Sequence, residues 1–190
     1  MAPERSGGAE RIVLGTVQLG LPYGRRAGEG LMPEPDAFAV LDAAWAAGIR
    51  AFDTAEAYGE SPARLAAWLA ARGVAHEAHV VTKVKPAEGP GIRARVEAAL
   101  ARFPETATRT LLTHGPAGPE WDEVRAAARA CGAEAGESVY APDEVAAAAA
   151  RPGLRRVQAP GNLFDARALE ARGASPAALD LRSVYLQGVL

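Results

Sequence analysis

Apolar positions along this chain follow two alternating periods. Short runs rich in β-branched and apolar residues recur, and between them lie stretches whose apolar residues return every three or four positions. In residues 36–47, Phe38, Leu41 and Trp45 fall at i, i+3 and i+7 and Gly48 follows, which predicts a helix with a glycine stop. Residues 49–54 predict a strand. Ser61 then predicts an N-cap, Pro62 a first helical position, and Leu65, Trp68 and Leu69 one apolar face. Residues 79–83 predict the next strand. Ile92, Val96, Leu100 and Phe103 mark a helical stripe that Pro104 stops. Residues 110–114 predict a strand, and residues 119–131 a helix closed by Gly132.

The later units are shorter. Residues 138–140 predict a brief strand, residues 142–150 an alanine-rich helix ended by Pro152 and Gly153, and residues 154–159 another strand. Residues 167–172 leave room for under two helical turns, and residues 181–186 predict the last strand. Ahead of all this, residues 11–20 predict a short β-hairpin. About six β/α units with short connections imply an α/β fold, a parallel sheet with helices outside it. Alternation by itself fits a barrel and an open doubly wound sheet equally. Residues 1–190 read as one domain, with the small and polar residues 1–10 expected to be disordered.

Composition narrows the function classes. Of 190 residues, 49% are hydrophobic and 23% charged, which suits a globular domain with a sizeable core. A net charge of −2 implies no general attraction to nucleic acid or to an anionic membrane. Cys131 is the only cysteine, so no disulfide forms within the chain, and a reducing cytoplasm is the expected location. Residues 1–10 lack the apolar segment of a signal peptide, and no run approaches the ~20 apolar residues of a spanning helix. Neither phosphate-binding glycine motif, GxGxxG or GxxxxGK[ST], is present, and no metal-ligating set is read.

The chemistry lies at strand ends. Asp53, Lys83 and His114 each close one of three successive β runs, and Tyr58 follows Asp53 in a glycine-containing loop. In a (β/α) barrel such positions open into the mouth where active sites form. Together they offer proton transfer to an oxygen. A free Tyr titrates near ~10, and an adjacent cation favours its phenolate. Lys83 would be that cation, Asp53 would hold Lys83 by a charge-assisted hydrogen bond, and His114 would orient a carbonyl oxygen or share the proton with Tyr58.

The stretch Phe52-Asp53-Thr54-Ala55-Glu56-Ala57-Tyr58-Gly59, with Lys83 and His114, resembles the catalytic tetrad of the aldo-keto reductases. The segments Leu14-Gly15-Thr16-Val17-Gln18-Leu19-Gly20, Gly136–Tyr140, Val157–Asn162 and Arg182–Gly188 resemble further parts of that family in order. The resemblance implies an eight-stranded barrel that reduces carbonyls with NADPH. It implies Tyr58 as general acid assisted by Lys83, Asp53 and His114. It implies Thr16, Ser138, Gln158 and Arg182 at the cofactor, Ser138 and Gln158 on the nicotinamide carboxamide, and Arg182 where relatives place an aromatic ring. Tyr23, Arg25 and Arg26 would meet the substrate, a small carbonyl or hydroxyl compound.

A complete barrel of this kind takes ~250 residues. The expectation is therefore an incomplete or shortened TIM-type (β/α) barrel with about six parallel strands and an N-terminal β-hairpin, without the loops that grip the cofactor phosphate. An open barrel would expose strand edges and part of an apolar interior, so a homodimer or a partner protein is expected to cover them. The same acid–base group would also serve a cofactor-independent lyase, dehydratase or isomerase in a biosynthetic step. A non-catalytic binding protein is the third reading.

Overall fold

The computed structural model describes residues 12–86 and 91–186. The expectations for residues 1–10, for Gln187 and for Gly188 lie outside the described residues. Seven strands, β1 (Val13–Gly15), β2 (Ala51–Asp53), β3 (His79–Val84), β4 (Thr108–His114), β5 (Glu134–Ser138), β6 (Arg156–Pro160) and β7 (Ala178–Arg182), alternate with helices. The helices are α1 (Val17–Gly20), α2 (Glu34–Ala46), α3 (Ser61–Arg72), α4 (Ile92–Ala101), α5 (Trp121–Ala130), α6 (Pro142–Ala149) and α7 (Arg167–Arg172). Strand order in the sheet follows the sequence, β1 to β7. The pairs β1–β2, β2–β3, β4–β5, β5–β6 and β6–β7 are all parallel. Among the described residues this is the strand order of a TIM-type (β/α) barrel, with seven strands where the closed form has eight.

Two sequence expectations are corrected here. Residues 11–20 do not form a hairpin: Val13–Gly15 pairs parallel to Ala51–Asp53, and Val17–Gly20 is helical. No two-residue hairpin turn of the Asn-Gly kind occurs in that stretch, and a distant parallel partner takes its ladder hydrogen bonds. Counting β1 in the sheet makes seven strands rather than six. The second correction is to Ser61, which is the first residue of α3 and not its cap; its hydroxyl meets Thr16 and Thr54 instead.

The chain divides into two compact units, residues up to Val81 with Arg102–Arg109, and Thr82–Ala101 with Thr110 onward. The first has a core of Leu19, Leu41, Phe52, Leu65, Trp68, Leu69, Val80 and Phe103. Trp45, Phe52 and Trp68 form an aromatic trio with ring centroids 5.6–6.3 Å apart. Helix α2 starts with Glu34, Pro35 and Asp36, acids and a proline suited to a helix N-terminus. Helix α3 ends at Gly73, whose φ of 65° is the left-handed cap that glycine adopts without strain.

In the second unit the strands bury one face against the helices. Leu111, Ala135, Val157 and Ala159 pack with Val96, Leu100, Val124, Ala127, Val145 and Ala168, and Leu179 lies against this cluster. Side chains alternate along a strand, so Leu112, Gly136, Ser138, Arg156, Gln158, Asp180 and Arg182 take the opposite face. A side chain at Gly136 would meet Leu112, its Cβ only 2.8 Å from Leu112 Cδ2 and 2.1 Å from the Arg156 carbonyl. On β6 and β7 that inner face is polar, not the apolar interior the sequence led one to expect. Arg156 Nη1 donates to Asp180 Oδ1 at 2.8 Å, and Arg156 Nη2 lies 3.8 Å from Glu134 Oε2.

Candidate active site

In the first unit the end of β2 is fastened through hydroxyls. Asp53, only 8% exposed, has a carbonyl that accepts from Thr16 N at 2.9 Å and from Thr16 Oγ1 at 2.8 Å. Thr16 Oγ1 also meets Ser61 Oγ at 2.6 Å, and Ser61 Oγ meets Thr54 Oγ1 at 3.1 Å. All three hydroxyl side chains are fully buried. Thr16, expected near a cofactor, thus ties the first strand end to the second and to the start of α3.

The loop carrying Tyr58 is pinned on both sides. Tyr58 N donates to the Ala55 carbonyl at 3.0 Å, and the Tyr58 carbonyl accepts from Ser61 N at 3.0 Å. Gly20 packs flat beneath it: a Cβ there would sit 2.2 Å from Tyr58 O and 2.0 Å from Ser61 N. Gly59 has φ +56°, and its own Cβ would meet the Gly20 carbonyl at 2.4 Å. Arg64 locks the same corner by donating to the carbonyls of Leu19 at 2.7 Å and Met32 at 2.6 Å. The Tyr58 side chain is half-buried. Tyr23 is 39% exposed ahead of the 3₁₀ turn Gly24–Glu29, which contains Arg25 and Arg26; their side chains lie outside the described residues.

Val81 on β3 is in register with Asp53, and Lys83 lies two residues farther along that strand. Lys83 is fully buried, an environment in which an ammonium requires polar partners. His114, half-buried, closes β4 in register with Ser138; Ser138 faces Gln158, and Gln158 faces Asp180. Four polar side chains therefore stand in one row across β4 to β7. Ser138 Oγ donates to Gln158 Oε1 at 2.9 Å, with Ser138 1% and Gln158 5% exposed. Arg182 stands one step beyond this row, in register with Pro160.

A charged clamp that sequence reasoning missed holds the loop after His114. Glu137 Oε2 accepts from Ala117 N at 3.1 Å, and Arg151 Nη2 donates to the Ala117 carbonyl at 2.8 Å. Arg151 and Glu137 form an ion pair, and the Arg151 guanidinium lies 5.7 Å from the Trp121 ring centroid. Burial pushes the Glu137 carboxyl above its ordinary value, against the opposing pull of the Ala117 N–H and of Arg151. The sequence signal was faint, a charged residue inside a five-residue strand otherwise bound for the core.

Asp53 ends β2, Lys83 is the last residue but one of β3, His114 ends β4, and Tyr58 lies in the loop after β2 of a parallel β/α sheet. The profile of the Aldo/keto reductase family matches residues 11–118, more than half of the chain, and the chain belongs to that oxidoreductase family. No curated protein sequence matches the chain significantly. Among solved structures, the glycerol dehydrogenase of Gluconobacter oxydans is 23% identical with a TM-score of 0.72, covering 99% of this chain and 64% of its own. A Pseudomonas aeruginosa protein assigned to the aldo-keto reductases is 24% identical with a TM-score of 0.68, covering 93% of this chain and 74% of its own. An aldo/keto reductase of Klebsiella pneumoniae, solved with NADP and acetate, is 19% identical with a TM-score of 0.69, covering 94% and 65%. These likenesses establish the fold. The chain spans about two thirds of the length of the Gluconobacter and Klebsiella proteins.

Among the described residues no helix is long and apolar enough to cross a membrane.

Proposed function

We propose that this chain interconverts a carbonyl and a hydroxyl group with NADP(H), Tyr58 acting as general acid and base. The observation that carries the reading is the buried Ser138–Gln158 pair, in register with His114 at the strand ends. The pair fits a carboxamide. Ser138 Oγ donates a hydrogen bond to Gln158 Oε1 and keeps lone pairs that accept from an amide N–H. The NADP-bound Klebsiella relative supports the choice of cofactor.

NADPH, when bound, supplies the hydride. Tyr58 gives its phenolic proton to the substrate oxygen, and takes it back in the reverse direction. Lys83 lowers the cost of the phenolate, Asp53 orients Lys83, and His114 directs the carbonyl oxygen toward Tyr58. The fastening of Tyr58 against Gly20 supports this role, because a proton donor works through fixed geometry.

Titration of the purified chain with NADPH, read by nicotinamide fluorescence, tests the reading, followed by carbonyl turnover in Tyr58→Phe. Saturable binding with turnover lost in the variant is the expected result. Unchanged turnover in Tyr58→Phe would remove that residue's role. Failure to bind NADPH, with Tyr58-dependent chemistry persisting, would favour a cofactor-independent lyase or isomerase.

A further inference from the structure

We infer that Arg182 is an anchor for an oxyanion, a carboxylate or phosphate carried by the molecule bound at the strand ends; only the identity of that molecule rests on the reading above. Arg182 takes the inner face of β7, one step beyond the row of His114, Ser138, Gln158 and Asp180. Its side chain crosses the end of β6 to reach β5. There Nη2 donates to the Val139 carbonyl at 3.1 Å, and the guanidinium carbon lies 4.0 Å from the Tyr140 ring centroid. A guanidinium so stacked is held in one plane before any ligand arrives.

The charge is held but not neutralised. Neither nearby acid meets the guanidinium. Asp180, two residues back on the same strand, accepts from Arg156 through Oδ1 at 2.8 Å, and its Oδ2 has no hydrogen-bond partner among the described residues. Glu144 Oε2, on the helix after Tyr140, accepts from the backbone N–H groups of Tyr140 at 2.8 Å and Ala141 at 2.9 Å. Two other arginines of this unit contrast, Arg151 pairing with Glu137 and Arg167 with Asp165, whereas Arg172 also meets only carbonyls. Of five guanidinium N–H groups, one meets Val139, and no carboxylate among the described residues meets the others. Pro160, directly opposite on β6, brings neither a charge nor a backbone donor. A planar fork with open N–H groups, and no counter-ion among the described residues, is the arrangement that takes an oxyanion with two parallel hydrogen bonds.

The test is a titration of the full chain with sodium acetate and, separately, inorganic phosphate, following the Arg182 Nε–Hε resonance by NMR, assigned by its loss in Arg182→Met. Saturable shifts are expected, with affinity for the anion, read on the neighbouring Tyr140 resonances, falling roughly tenfold in Arg182→Met, about 1.4 kcal/mol. Arg167→Met, at an exposed pair, should change nothing. Tyr140→Leu keeps the charge and removes the surface beneath it, so a smaller loss of affinity is expected; unchanged affinity there would overturn the inference even if Arg182→Met misfolds. No saturable response to either anion, or equal affinity in wild type and Arg182→Met, would also overturn it. Tighter acetate than phosphate identifies a carboxylate on the substrate, and the reverse identifies a phosphorylated ligand. The titration needs neither NADPH nor turnover. Anion binding without NADPH binding would refute the reductase reading alone, and NADPH binding without anion binding would refute the anchor alone.

Discussion

At the scale of single residues, Asp42 shows how a group outside the active site sets the response to acid. Trp68 Nε1 and Arg72 Nε both donate to Asp42 Oδ1, at 2.8 and 2.9 Å, and Arg72 Nη2 to Oδ2 at 2.9 Å. The Arg72 hydrogen bond, chiefly, brings the carboxyl from 3.8 down to about 2. A folded value below the unfolded one contributes stability that is complete above the unfolded value and is lost as pH falls through the folded one. Asp42→Asn should therefore lower the melting temperature at pH 7 and match wild type near pH 2. Parallel melting curves with a constant offset at both pH values would contradict this. The pairing was not legible in the sequence, because Asp42 sits on α2 and its partners on α3. By contrast the positions of Asp53, Lys83 and His114 at or beside strand ends, and of Tyr58 in the loop after β2, were legible from the local β runs.

At the scale of elements, the loop between β2 and α3 depends on a glycine 38 positions before the tyrosine it supports, at Gly20. Gly20→Ala forces backbone apart at Tyr58 and Ser61. Such overpacking costs ~1–3 kcal/mol, to be read by urea denaturation, and turnover should fall more than the loss of folded protein explains. Turnover in proportion to folded protein would show that Gly20 matters to packing only. The clamp on the loop after β4 gives a second prediction. Arg151→Met leaves Glu137 as a buried carboxylate without its counter-ion, at a cost of ~3–5 kcal/mol near neutral pH. Burial already holds the Glu137 value above 4.5. A raised folded value contributes stability present below the unfolded value and lost as pH rises through the folded one. The variant's deficit should thus shrink toward pH 4 and widen toward pH 8, and a deficit independent of pH would argue against a charged Glu137. Helix periods announced α2 to α6 to within a few residues. The local pattern could not announce that residues 11–20 would find their strand partner at Ala51–Asp53.

At the scale of the whole molecule, strand order follows chain order, the simplest consequence of repeated right-handed β/α crossovers. The inner face of β6 and β7 departs from the bulky apolar layers usual inside such barrels. Arg156, Gln158, Asp180 and Arg182 stand there, so this part of the sheet presents charge instead of Val or Leu. Asp180→Ala removes the nearer partner of Arg156 and leaves Glu134 at 3.8 Å. A charge-assisted bond of this kind contributes ~1.5–3 kcal/mol, and chemical denaturation of the variant should show that loss. An unchanged midpoint would mean that solvent already screens the pair.

The sequence by itself determined the order and type of the later elements, the residues at the strand ends and the family they resemble. These depend on local period, on glycine and proline punctuation, and on residue identity. Only the tertiary structure decided that β1 joins the sheet, that Ser61 turns inward to Thr16 and Thr54, and that Glu137 with Arg151 grips Ala117. It alone decided that Arg182 lies on Tyr140. Each of these rests on which distant residues meet across strands and helices, and pairings of that separation leave no period in the chain to read.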